Sequence, residues 1–241
     1  MESNNLPKAQ CWQDFEDVIE AGINRVILFG PTGTGKTYGG LTMGINEAGS
    51  HRLICSEEMT SADVTGSWMP NANGGFEYLL GYASKAWMGN GTKGARLVID
   101  ECDKASGDVS SLLLAMTDSE ASATMELPTG EVIRPLDGFS VVMTSNIEHP
   151  DDLPVALRDR FPVALEINAP HPNALMTLPE RLRVVASAVI TAEPDRRASI
   201  RAFYAFATLE ARVGTERASR LAFGEYRGEA VLDALKATAV A

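Results

Sequence analysis

The chain has 241 residues, 45% apolar and 22% charged, a balance that suits one sizeable folded domain with an appendage and excludes collagen-like, disordered and coiled-coil classes. Its 32 acidic and 21 basic residues give a formal net charge of -11, so the free surface repels a phosphate backbone and argues against nucleic acid as a partner. The longest apolar stretches, such as 26–29 and 141–143, cannot span a bilayer, and the start MESNNLPKAQ lacks a signal-peptide pattern, so a cytoplasmic location without membrane insertion is expected.

In chain order, a polar head leads into CWQDFEDVIEAG, where Trp12, Phe15, Val18 and Ile19 recur at helical spacing. The runs RVILFG, RLICS, RLVIDE, FSVVMTSN and VALEI then follow, each apolar, β-branched and closed by polar or turn residues. Runs of this kind fit strands buried on both faces, and most segments between them can carry crossover helices. The fold class expected is α/β: a three-layer αβα core with a parallel five-stranded sheet over residues 1–168, followed by a small all-helical appendage at 169–241. Three stretches of the appendage read as helices: LPERLRVVASAVI, RRASIRAFYAFATLEAR and GEAVLDALKATAV. Cys11, Cys55 and Cys102 are an odd set without ligand spacing and read as reduced thiols.

The first motif with chemistry is GPTGTGKT, residues 30–37, between the strand RVILF and a helix-compatible segment. Glycines let backbone N–H groups curl round a phosphate, and the helix after them turns its positive end to the anion. Gly30, Pro31, Thr32, Gly33, Thr34, Gly35, Lys36, Thr37 and Tyr38 form the candidate nucleotide-binding run. Lys36 serves the β- and γ-phosphates, and the Thr37 hydroxyl serves Mg²⁺.

The second is RLVIDE. Neighbours in a strand point to opposite faces, so Asp100 and Glu101 take different tasks: Asp100 orients the Mg²⁺ shell, and Glu101 polarises the attacking water. A solvated acidic strand end is the plain alternative. The third is FSVVMTSN, which delivers Asn146 at a C-terminal strand edge, where an amide can hold that water. The fourth is ALRDRF, with Arg158 and Arg160. Guanidinium groups neutralise charge on a transferring phosphoryl group, and this segment should lie away from its own phosphate loop, so its natural use is in a neighbouring copy. The competing reading is surface arginines paired with Asp151, Asp152 or Asp159.

GPTGTGKT, LVIDE, TSN and ALRDRF, in that order before a helical lid, resemble an AAA+ ATPase. The finer resemblance is to the MoxR-like branch, including the CbbQ/NorQ-type activators. It rests on SADVTGSW at 61–68, on an insert at about 68–87 in the second helix, and on a hairpin at about 125–135. The resemblance implies that Lys36 and Thr37 are the Walker A pair, Asp100 and Glu101 the Walker B pair, and Asn146 the first sensor. Arg160 is then the arginine finger, with Arg158 its helper or the finger itself. SIR at 199–201 is similar to the second-sensor motif, which makes Arg201 the lid contact and Arg196 and Arg197 its rivals. ATP and Mg²⁺, a homo-oligomeric, usually hexameric ring, a protein client and a von Willebrand factor A-type partner are also implied. An ATP-dependent assembly component with slow turnover, or more weakly a small-molecule kinase, are the competing functions. Phe76, Tyr78, Tyr82 and Trp87 are expected mainly to pack the insert onto the core, and His51, His149 and His171 to be incidental.

Overall fold

Strands that need no polar alternation pair here into one parallel sheet covered by helices. The computed structural model describes residues 8–118, 122–190, 192 and 197–240. α1 (Gln10–Glu20) buries Trp12 and Phe15 completely. After it come β1 (Arg25–Phe29), α2 (Lys36–Thr42), β2 (Ser50–Ile54), α3 (Ser61–Thr65), β3 (Gly66–Pro70), β4 (Phe76–Leu80) and α4 (Tyr82–Met88). Next are β5 (Arg96–Asp100), α5 (Gly107–Met116), β6 (Met125–Glu126), β7 (Val132–Ile133), β8 (Ser140–Thr144), α6 (Val155–Arg160) and β9 (Val163–Glu166). The C-terminal region is helical: α7 (Pro172–Met176), α8 (Glu180–Ile190), α9 (Ile200–Val213), α10 (Thr215–Phe223) and α11 (Glu225–Val240).

The main sheet has the order β2-β5-β8-β1-β9, all parallel. In register, Ile27 lies opposite Met143 and Ala164, and Ile99 lies opposite Leu53 and Met143. Because every strand runs the same way, all C-terminal ends share one edge, the edge at which open α/β sheets take their ligands. β5 is buried along its whole length: its centre Leu97–Ile99 is apolar, and the charged ends Arg96 and Asp100 are buried with hydrogen-bond partners. The fold is thus the P-loop α/β core with a helical C-terminal region.

The chain divides into two compact units. One holds Phe15–Gly30 and Thr37–Glu166, with a core of Ile27, Leu53, Trp87, Leu97, Ile99, Phe139 and Met143. In it the Arg96 guanidinium is buried and donates to the Gly40 and Gly44 carbonyls and to Ser140 Oγ, closing the last turn of α2. Burial lowers its pKa to about 10.

The other unit holds Ile167–Ala241, Pro31–Lys36 and the N-terminal segment up to Asp14. Its core is Leu182, Ile190, Phe203, Phe206 and Phe223, with the Phe203 and Phe223 rings 4.9 Å apart at 60°. Each such side chain contributes about 1.5–3 kcal/mol by leaving water. A division at 168/169 placed the phosphate loop with the sheet. Here the loop groups with the helices, because the His171 N–H donates to the Thr34 carbonyl at 2.7 Å. Trp12 Nε1 joins the same unit by donating to the Ala169 carbonyl at 2.9 Å.

The insert expected at about 68–87 resolves into the antiparallel hairpin β3–β4, pairing Gly66 with Leu80 and Pro70 with Phe76, followed by helix α4. Asn71 closes its turn, Oδ1 accepting from the Asn73 and Gly75 N–H groups. Packing holds for Trp87, which is buried, and partly for Tyr78, which meets Trp68 edge-on. It fails for Phe76, 69% exposed on a two-stranded ribbon that has one face with nothing to cover it, and for Tyr82, 48% exposed at the start of α4. The hairpin expected at about 125–135 is β6–β7. Among the described residues no helix is long and apolar enough to cross a membrane.

All three cysteines are free and buried. Burial, reinforced by the negative charge of Asp100, Asp103 and Glu101, pushes the Cys55 thiol up to about 12. Burial and Asp103 do the same to Cys102. Thiolate is the reactive form, so the folded protein should react with Ellman's reagent far more slowly than free cysteine in mildly alkaline buffer. All 3 thiols should become available once denaturant is added, which an absorbance time course measures directly.

Candidate functional site

Within the sheet unit, the site is built round Asp100, the last residue of β5. Thr37, in the first turn of α2, donates from Oγ1 to Asp100 Oδ1 at 2.8 Å. Thr144, the last residue of β8, donates to the same oxygen. Arg52 on β2 takes the other oxygen, Oδ2, through Nε at 3.0 Å and through its Nη2. Burial alone would raise the Asp100 pKa. Hydrogen bonds from Thr144, Arg52 and Thr37, with the Arg52 charge, outweigh burial and hold the carboxyl below its usual range. A hydroxyl and an ionised carboxylate so close together are hard oxygen donors of the type Mg²⁺ takes alongside water and phosphate oxygens. The residues therefore fit the cation.

Glu101 lies one residue beyond β5 with φ 57° and ψ 46°, the one non-glycine residue at positive φ among those described. That left-handed step aims its side chain differently from a continued strand, and costs about 1–3 kcal/mol. Its backbone N–H faces Thr144 Oγ1 at 3.4 Å, and its carboxylate accepts from Lys104 Nζ at 2.7 Å. Asn146 is exposed, two residues past β8. Ser145, before it, is buried and donates to Asp103 Oδ1 at 2.6 Å.

Arg160 sits at the opposite end of the same sheet. It faces Asp118 Oδ2 at 3.8 Å and donates to the Ala156 carbonyl at 3.2 Å. The neighbouring Thr117 carbonyl accepts from Arg25, the first residue of β1. Asp100 and Thr144 are the last residues of their strands and Arg25 is the first of the parallel β1, so about 16 Å of five-residue strand separates the two ends. Arg158 pairs with Asp151, one of the partners its surface reading named.

Within the helical unit, the phosphate loop is tightly held. Gly33 and Gly35 have φ of +83° and +100°. A Cβ on Gly33 would stand 2.6 Å from Ser199 Cβ, and one on Gly35 would stand 2.8 Å from His171 Cβ. Only glycine serves at either position. Lys36 is 6% exposed, and its Nζ donates to the Pro31 carbonyl at 2.8 Å. An anionic oxygen is a stronger acceptor than that carbonyl, so the lysine is poised to exchange one for the other. Tyr38, just after the loop, is half exposed.

A cavity of about 420 Å³ in the same unit is lined by Thr32, Ser199, Arg197, Arg227 and Phe223 among others. Arg201, in the first turn of α9, is exposed and does not line it; Arg197 does, and Arg196 lies outside the described residues. Four side chains escaped the sequence reading. Arg52 and Lys104 carry no motif of their own. Arg227 lies in a helical stretch among other charged residues. His171, treated as incidental, is buried at the phosphate loop and meets the Trp12 ring edge-on at 4.7 Å.

A family model described as AAA domain (dynein-related subfamily) matches residues 25–161. No curated protein matches the chain significantly. Among solved structures, the chain is similar to a candidate ATPase from Cytophaga hutchinsonii, with 17% identity, a TM-score of 0.45, and coverage of 88% of this chain and 68% of that one.

Proposed function

The chain belongs to the dynein-related subfamily of AAA domains, and on that premise we propose that it is a ring-forming ATP hydrolase that remodels or activates a protein client. The observation that carries this reading is the separation of Arg160 from Asp100 and Thr144 by the full length of the sheet. An arginine at one end cannot serve a nucleotide at the other end of its own copy, whereas head-to-tail packing brings the two together, and such packing forms a ring where the rotation between copies closes.

In this reading the glycine loop and Lys36 hold the β- and γ-phosphates. Bound Mg²⁺, held by Thr37 and Asp100, would neutralise phosphate charge. Glu101 accepts a proton from the attacking water while Asn146 orients it. The water oxygen bonds to the γ-phosphorus, the bond from that phosphorus to the bridging oxygen breaks, and ADP departs with the bridging electrons. Arg160 of the next copy, with Arg158 beside it, stabilises the charge that develops. In the lid, Arg197 and Arg227 beside Thr32 are stronger candidates for reporting phosphate departure than Arg201.

The hairpins β3–β4 and β6–β7 support placement in the MoxR-like branch, with a hexameric ring and a von Willebrand factor A-type partner. A net charge of -11 favours a protein client over nucleic acid. The test is steady-state phosphate release and ATP affinity in wild type and Lys36→Ala. Wild type should turn over ATP, and the variant should lose about 10²-fold or more in affinity or rate, as expected for a removed charge-assisted phosphate contact. Wild type that assembles on ATP without releasing phosphate would point instead to an assembly component.

A further inference from the structure

We propose that Arg52 is a latch on the cation site: its guanidinium holds the Asp100 carboxylate while the site is empty and must leave when a divalent cation loads. The inference rests on the nucleotide-binding part of the proposed function. An ionised carboxylate offers about four lone-pair positions. At Asp100 four donors claim them: Thr37 and Thr144 on Oδ1, and the two Arg52 nitrogens on Oδ2. A cation, or a water in its shell, needs one of those positions, and a guanidinium beside it repels it.

Of the donors, Thr144 is buried, and Thr37 keeps hydroxyl lone pairs for the cation while its proton points at Asp100. Arg52 is the one that can withdraw. It lies on β2, an outer strand of the sheet, with its side chain 44% exposed. It also lines a cavity of about 380 Å³ with Glu58 and Asp63; the Asp63 Oδ2 already accepts from the Thr60 N–H and hydroxyl, so Glu58 is the carboxylate toward which the guanidinium can withdraw. Asp63 belongs to α3, which runs directly into the hairpin strand β3. The residue that yields to the cation therefore moves toward the root of the hairpin.

Cation and guanidinium exclude each other at one carboxylate, so each weakens the other's hold by the same factor. The experiment titrates wild type, Arg52→Gln and Arg52→Lys with a fluorescent ADP analogue, in magnesium chloride and in EDTA. The readout is the ratio of affinities with and without magnesium, which cancels any general effect of the lost charge. The ratio should rise about tenfold in Arg52→Gln. Arg52→Lys, which keeps a cation on Asp100 and guards against a folding failure, should fall between the two. A ratio equal to wild type, or lower, in the variants would overturn the latch while leaving the nucleotide reading intact. Wild type that binds no nucleotide in either buffer would overturn both.

Discussion

Glu101→Gln should bind ATP within a few-fold of wild type and release phosphate about 10²–10⁴ times more slowly, the range a positioned general base supplies. The substitution keeps the side chain's size and shape but replaces the carboxylate, which can take a proton and pairs with Lys104, by a neutral amide that cannot. The backbone explains why this carboxylate and not its neighbour has the task. Asp100 ends β5 with every lone pair engaged, whereas Glu101 turns out of the strand at φ 57° and is held only at its tip by Lys104. Phosphate-release assays and nucleotide titration on the same preparation separate the two effects. A variant that loses affinity and rate together would mean that Glu101 shapes the pocket rather than the chemistry.

Arg160→Ala should fold and bind nucleotide normally yet lose about 10³-fold in turnover, the scale of a removed arginine finger. Its contacts within its own chain are slight: a 3.8 Å approach to a partly exposed Asp118 and one bond to a carbonyl in its own helix. Exposed pairs of this kind contribute about 0–1 kcal/mol, so folding should barely register the loss. Arg158→Ala should lose less, since Arg158 already has Asp151 as a carboxylate partner. Thermal melting and phosphate release measured side by side test the contrast. Equal losses in the two variants would mean that neither arginine has a privileged role.

The strands were legible because a parallel sheet buried on both faces demands continuous apolar runs, and Leu97–Ile99 is such a run, closed at either end by a buried charge with internal partners, Arg96 and Asp100. The loop at 30–37 was legible because positive φ and close packing leave glycine no substitute at Gly33 and Gly35. Arg52 was not, because its meaning depends on strand register. It pairs with Val98, and side chains repeat every second residue, so it shares a face with Asp100. No spacing along the chain encodes that pairing. His171 and Arg227 are hidden for a similar reason, since each gains its neighbours only when the helical unit folds round Pro31–Lys36. The hairpin was foreseen as an insert, but its edges were blurred: Tyr82–Met88 is helix, and only Trp87 and part of Tyr78 pack as the aromatic run suggested.

A catalytic site shared by two copies can be rebuilt from two inactive proteins. Glu101→Gln and Arg160→Ala, each nearly inactive alone, are combined under conditions in which subunits exchange, and phosphate release is measured. In a head-to-tail assembly about a quarter of random pairings place an intact Glu101 beside an intact Arg160, so activity should reappear at a substantial fraction of wild type. A mixture shown to contain both subunits in one assembly, yet as inactive as its parents, would contradict the shared site.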